Sequence, residues 1–370
     1  MTGRATALFM TGATGLIGSR VLRRLLVAAP GLHAFVLVRD AARWTDVGGG
    51  AEALDGRVTP LVGDITREGL GLDGRARRAL ARRVGLVVHA AADTVFSRPL
   101  PAARRVNVDG TEHVLELAAQ WPRVERTVHV STAFVAGRRT GPILEHEDGP
   151  DEGFVNSYER SKFEAERLVR SSAGPWVILR PSTVVCDGTH GRVSQLNAVH
   201  RALRLYHAGL ASMLPGGEAS PVDLVTADYV ADCVSAVTMA PGVEGSTFHV
   251  CAGRGAIGLG RLLDDSYAVW AESHRWRRRG IARPAITDLE TYRLFERTVE
   301  QTGDARLRRI TRSLAHFVPQ LALPKRFDTT NIERVTGRAS PPVADYWERV
   351  IRYLVRSGWA ASARLAGSTA

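Results

Sequence analysis

The segment Thr11-Gly12-Ala13-Thr14-Gly15-Leu16-Ile17-Gly18 lies between an apolar run, Ala7–Met10, and an amphipathic stretch, Gly18–Ala28, with apolar positions Val21, Leu22, Leu25 and Leu26. A strand, a turn with glycines at G-x-x-G-x-x-G spacing and then a helix constrain a chain strongly. Gly12 and Gly15 let backbone approach a pyrophosphate, and Gly18 lets the helix pack tightly on the sheet. Free N–H groups at the helix start favour an anion. Thr11, Thr14, Leu16 and Ile17 complete this candidate dinucleotide cradle.

Further short apolar runs alternate with longer amphipathic stretches. Strands are expected at His33–Val38, Val58–Val62, Val84–His89, Arg126–Ser131 and Trp176–Leu179, and helices near Ala76–Arg83, at Asp109–Gln120 and at Ser157–Ser171. That alternation predicts an α/β fold, a Rossmann-type doubly wound parallel sheet covered on both faces. After Pro181 the pattern loosens, with helices expected at Leu196–His207, Leu259–Arg279, within Leu289–Arg312 and at Val343–Val355, and a strand at Phe248–Cys251. The expected division is a cofactor-binding domain over 1–187 and a smaller, mainly substrate-binding portion over 188–362. Return elements near 222–255 complete the first domain, and 363–370 is a flexible tail.

Composition narrows the class. The chain has 370 residues, 45% of them hydrophobic, enough for a large core. No run approaches about 20 apolar residues, and no basic-then-apolar leader opens the chain, so neither stable membrane insertion nor a signal peptide is expected. Cys186, Cys233 and Cys251 lie far apart and suggest reduced structural thiols in a cytoplasmic protein, with no metal cluster. The net charge of +11 is carried by dispersed arginines without interleaved aromatics, which argues against nucleic acid and leaves a phosphate-bearing substrate or an acidic carrier. Only Lys162 and Lys325 are lysines among 49 basic residues, so the chemistry at Lys162 requires an amine.

The second informative segment is Tyr158-Glu-Arg-Ser-Lys162. Spacing of i,i+4 puts phenol and amine on one helix face, where Lys162 lowers the tyrosine pKa and Tyr158 supplies a proton. Thr132, after Ser131, is positioned to donate a hydrogen bond to a carbonyl or developing alkoxide. Arg39 ends the second strand, with Arg43 beyond it. An arginine there suits a 2′-phosphate, so NADPH is preferred, while the adjacent Asp40 keeps NAD open. Asp64 and Ile65 are placed to frame the adenine, and Ala90, Ala91 and Ala92 to let a cofactor approach a strand end.

These ordered motifs resemble the extended short-chain dehydrogenase/reductase family over residues 7–255. The resemblance implies a Rossmann fold, a catalytic Thr132/Tyr158/Lys162 set, with Lys162 also on the nicotinamide ribose, and an organising role for Asn107 beside the cofactor. Within that family, His129–Val135, Tyr158–Glu166 and Arg180–Val185 are similar to thioester reductase domains and to fatty acyl-CoA reductases of the male-sterility type. So, with less specificity, are Val222–Val225 and Lys325–Asn331. This places Pro181, Ser182 and Val184 among the cofactor contacts. The implied reaction is NADPH-dependent reduction of an acyl thioester, held on an acyl carrier protein's phosphopantetheine or on coenzyme A, to an aldehyde or, after a second round, an alcohol. Sugar-nucleotide epimerase/dehydratase and hydroxysteroid-type dehydrogenase chemistry stay open as alternatives, as does a non-enzymatic NADP sensor. Leu196–Leu214 is open between an acyl channel and ordinary core. Arg201, Arg204 and Trp276–Arg279 are candidates for a carrier-facing rim.

Overall fold

The structure is a computed structural model and describes residues 7–41, 44, 56–146 and 152–361, without the side chains of residues 306 and 313. Seven strands form one sheet: β1 (Ala7–Thr11), β2 (His33–Val38), β3 (Val58–Val62), β4 (Val84–His89), β5 (Arg126–Val130), β6 (Trp176–Pro181) and β7 (Ser246–Val250). Their order is β7-β6-β5-β4-β1-β2-β3, and every pairing is parallel. This is the doubly wound α/β arrangement expected from the alternating pattern. The order reverses at β1, so the crevice beyond the carboxyl ends of β1 and β4 is the topological switch point.

Side-chain alternation along β1 explains the two layers. Leu8 and Met10 face the cluster containing Val21, Leu22, Leu25 and Leu26 of α1 (Leu16–Ala28). Ala7 and Phe9 face the opposite cluster, with Leu80 of α2 (Gly74–Arg83) and Trp121. Two further helices, α3 (Leu100–Asn107) and α4 (Asp109–Ala119), follow β4, and α5 (Ser157–Ser171) follows β5. Period-two alternation with both faces apolar is what a doubly covered strand requires. Pro60 is tolerated in β3 because that strand is an edge.

Downstream, α6 (Ala198–His207) starts at an Asn197 cap, two residues after the expected start. The expected helix Leu259–Arg279 divides into Leu259–Ala271 and His274–Arg277, because the Ser273 side chain accepts from the Trp276 N–H and starts a new helix. The helices expected within Leu289–Arg312 are Leu289–Gln301 and Ala305–Leu314. Short parallel ladders tie this half to the sheet end: Leu224–Thr226 pairs with Thr183–Cys186, and Lys325–Phe327 with Gly141–Ile143. The flexible tail expected over 363–370 lies outside the described residues.

Candidate active site

The glycine turn is built by close backbone contact. Gly12 has φ +74°, and a Cβ there would lie 2.5 Å from the Ala90 carbonyl carbon. At Gly18 a Cβ would lie 2.1 Å from the Gly12 carbonyl oxygen. Gly15 differs: its Cβ would meet only that oxygen, at 3.2 Å, and otherwise open space. The same residue caps α1 with extended backbone, and the helix has neither a side-chain cap nor an acidic residue in its first turn. An uncapped helix start at the switch point fits the phosphates of a dinucleotide. Thr14, Leu16 and Ile17 are half-buried around it.

Arg39 is exposed at the end of β2. Burial pushes the Asp64 carboxyl up, but bonds from Thr66 and the charges of Arg39 and Arg67 outweigh it and hold the carboxyl below its usual range. Ile65 is buried in the cluster under Gly110, and its carbonyl meets the His113 ring at 2.8 Å. Ala90, Ala91 and Ala92 are half-buried beside the turn, where the Ala91 N–H donates to the Thr11 hydroxyl at 3.2 Å. Arg43 lies outside the described residues.

Thr132, Tyr158 and Lys162 converge at the carboxyl ends of β5 and β6. Thr132 caps the turn Ala133–Ala136, accepting from the Phe134 N–H at 3.3 Å, and its hydroxyl donates to the Pro181 carbonyl at 3.5 Å. Ser182 is buried beyond Pro181, and the Val184 carbonyl accepts from Asn197 at 2.8 Å. Burial pushes the Tyr158 phenol up to about 12, opposed by its bond with the Thr132 hydroxyl; the lowering expected from Lys162 is overturned, because that ammonium is turned to His129 and Val130. That phenol is a neutral proton donor at physiological pH. One helical turn on, the Lys162 ammonium donates to Val130 O and to His129 Nε2, both at 3.0 Å. Burial lowers this amine to about 8, and Glu166 opposes the fall.

Helix α5 is fixed from both ends. Asn156 caps it, accepting from the Glu159 N–H at 3.0 Å. Glu166, also inward, accepts from Arg180 at 2.8 Å and Arg170 at 2.8 Å. Burial would push its carboxyl up, but the two guanidinium groups hold it at about 2. The Asn107 amide is satisfied by protein: it donates to Ser161 Oγ at 2.9 Å and to Asp93 O at 3.0 Å, and accepts from Asp93 N at 2.8 Å. Asn107 thereby joins α5 to the loop after β4.

Two buried histidines complete a polar path that sequence reasoning missed. His89 and His129 are register partners on β4 and β5, with ring centroids 5.3 Å apart. Thr111 uses its proton on the Asn107 carbonyl, so His89 Nε2 donates to Thr111 and His89 Nδ1 accepts from Thr11. Burial and the Lys162 charge hold both rings neutral, His89 at about 3. His129 Nδ1 meets no polar partner among the described residues.

Phe96, also missed, covers Tyr158 with ring centroids 5.4 Å apart and contacts Phe134 and Phe317 at 6.0 and 6.4 Å. Val199, Ala202, Leu203, Tyr206 and Leu214 belong to the main core, so ordinary packing accounts for most of Leu196–Leu214. Trp276 is buried and Arg279 binds the His207 and Ala208 carbonyls, a capping role at the end of α6. Arg201 and Arg204 are exposed on that helix.

Residues 10–234 match the family described as male sterility protein. The chain belongs to that family. A putative fatty acyl-CoA reductase of Drosophila melanogaster is 27% identical over 270 residues, 60% of this chain and 50% of the relative. A linear gramicidin synthase of Brevibacillus parabrevis is 28% identical over 265 residues, 66% of this chain and 5% of that protein. The chain thus spans half or less of these curated members' lengths. Among solved structures, the terminal R domain from the myxalamid PKS-NRPS biosynthetic pathway has a TM-score of 0.75 at 25% identity, covering 97% of this chain and 93% of that one. Members of this male sterility family are extended short-chain dehydrogenases/reductases, in agreement with the sheet order. Among the described residues no helix is long and apolar enough to cross a membrane, and no acidic, His or Cys group could hold a metal.

Proposed function

We propose that this protein is an NADPH-dependent reductase of acyl thioesters, borne on coenzyme A or on a carrier protein's phosphopantetheine, and that it releases an aldehyde. The observation that carries this reading is the convergence of Thr132, Tyr158 and Lys162 at the same carboxyl edge of the sheet as the uncapped start of α1. The turn from Gly12 to Gly18 would hold the pyrophosphate. Arg39 would pair with a 2′-phosphate, which favours NADPH over NADH.

The bound cofactor supplies the hydride. The Tyr158 hydroxyl, and the Thr132 hydroxyl once it turns from the Pro181 carbonyl, polarise the thioester carbonyl and stabilise the oxyanion that forms. Burial keeps the phenol protonated, with its pKa at about 12, so its O–H is available as a hydrogen-bond donor to the carbonyl. Lys162 keeps one ammonium donor beyond those given to His129 and Val130, available to a ribose hydroxyl. Collapse of the tetrahedral adduct expels the thiolate and leaves the aldehyde. Phe96 and Phe317 limit water beside the phenol.

The purified protein is incubated with NADPH and acyl-CoA or acyl-pantetheine thioesters, following cofactor oxidation and thiol release together. Equal rates, lost in Tyr158→Phe while NADPH still binds, support the proposal. NADPH binding without thiol release across the panel overturns it.

A further inference from the structure

The chain has two lysines, and both are buried at this site: Lys162 is 1% exposed and Lys325 is 6% exposed. Lys162 serves the polar centre already described. Lys325 does not, and it lines a separate cavity together with Ala133 and Phe134, which follow Thr132. Ala133 and Phe134, directly after Thr132, form one wall, and Ser182, after the Pro181 carbonyl that accepts from Thr132, forms another. Phe317 closes the side toward Phe96 and Tyr158. The cavity is therefore walled by the residues that directly follow Thr132 and Pro181, next to where the thioester carbonyl would sit.

Its remaining lining is largely apolar, from Val222, Leu224 and Leu323. Lys325 is the only cationic residue among the lining residues. The strand pairing of Lys325–Phe327 with Gly141–Ile143 fixes its backbone. The ammonium donates to Gln320 Oε1 at 2.8 Å and to the Leu323 carbonyl at 3.3 Å, both neutral acceptors. Its charge partner, Glu159, is bonded to the other end of the Gln320 amide rather than to the amine. Asp223, the acid in the lining, is held by the Ala252 and Gly253 N–H groups at 2.8 and 2.9 Å. An ammonium satisfied by two neutral acceptors in an apolar wall is costly to bury and keeps a third donor. A cavity for plain hydrocarbon has no use for it.

We propose that this cavity, about 60 Å³ in volume, receives the first atoms of a short acyl group and that Lys325 selects groups carrying an oxygen acceptor there, such as a keto or hydroxyl group, over plain alkyl ones. The inference rests on the thioester-reductase reading and adds a substrate class to it. The acceptor takes the third ammonium proton while the chain contacts Phe317, Leu224 and Leu323. An ammonium is a compact point charge and a guanidinium a larger planar one, which fits the use of lysine here in a chain otherwise basic through arginine.

The test compares length-matched acyl-CoA pairs, one plain and one bearing a chain ketone or hydroxyl, with NADPH. In the wild type, kcat/KM is expected to favour the oxygenated partner about ten-fold or more, the worth of one hydrogen bond to a charged group. In Lys325→Met and Lys325→Gln that ratio falls to within about three-fold of unity, with the loss concentrated on the oxygenated substrate. Equal wild-type rates on both partners overturn the inference and leave thioester reduction standing. An unchanged ratio in the variants overturns it too, because Lys325 is then only a staple between Gln320 and the chain. Failure of the wild type to reduce any thioester defeats both this inference and the reading beneath it. The wild-type ratio needs no variant, so misfolding of a substituted protein does not protect the idea.

Discussion

Alanine at Gly18 and alanine at Gly15 should both weaken cofactor binding, but only the first should destabilise the fold. A Cβ at Gly18 would lie 2.1 Å from Gly12 O, 2.8 Å from Gly12 C and 3.1 Å from Ala13 Cα, all main-chain atoms that no rotamer can move. Reaching ordinary contact, which starts near 3.4 Å, requires the helix and turn to part by about 1 Å. Helix α1 cannot follow freely, because Val21, Leu25 and Leu26 are fully buried against the sheet. Overpacking of this kind costs about 3 kcal/mol, against about 1 kcal/mol regained from the better helix propensity of alanine, leaving about 2 kcal/mol. With an unfolding entropy of ~2.1 cal/mol/K per residue over 370 residues, Gly18→Ala should lower Tm by about 2–3 °C. Cofactor affinity should fall too, because the turn is displaced. At Gly15, φ is −77° and the new methyl meets one oxygen at 3.2 Å, so Gly15→Ala should melt within about 1 °C of wild type. That methyl projects into the open side of the turn and should weaken NADPH binding about ten-fold or more. Thermal unfolding and fluorescence titration with NADPH measure both effects. A Gly18→Ala protein with wild-type Tm and affinity, or a Gly15→Ala protein with wild-type affinity, refutes this use of the turn.

Lys162 should set an alkaline limit to activity: its amine sits at about 8, so kcat/KM should decline as pH rises through that value. His129→Leu removes a neutral acceptor that favours the ammonium, which should move that limb to lower pH, whereas His129→Gln should stay nearer wild type; pH–rate profiles of the three proteins decide. Glu166→Gln leaves Arg180 buried without its counter-charge and should cost about 3–5 kcal/mol in urea unfolding. The native carboxyl at about 2 lies below its ordinary 4.5, so its stabilisation is complete above about pH 4.5 and is lost as pH falls toward 2. Acid unfolding of the wild type should therefore be steeper than that of Glu166→Gln. Arg39→Ala should raise the Kd for NADPH about ten-fold while leaving NADH nearly unchanged; equal effects on both cofactors would remove the 2′-phosphate role.

The doubly wound sheet was legible because β1 and β4 are short, apolar and set between amphipathic helices. The i,i+4 pair Tyr158/Lys162 was equally legible, since helix geometry alone puts both on one face. His129 was not. Its role depends on the β4–β5 register, which sets it against His89, and on α5 reaching back to it. Phe96 and Phe317 meet over Tyr158 only after the chain's distant halves close. Lys325 gave a usable signal, as one of two lysines, but its place in the cavity with Ala133 and Ser182 depends on pairing with Gly141–Ile143. The broken helix at Ser273 shows the other failure: periodicity carried across a local cap that restarts the helix.

The most direct test of thioester reduction is isotope transfer. The protein is given an acyl-CoA and NADPH carrying deuterium at the transferable position of the nicotinamide, and the products are weighed by mass spectrometry. The expected result is an aldehyde with one deuterium on its carbonyl carbon, formed in step with free thiol and absent with Tyr158→Phe. Thiol release giving an unlabelled carboxylic acid, with the cofactor still reduced, would contradict it.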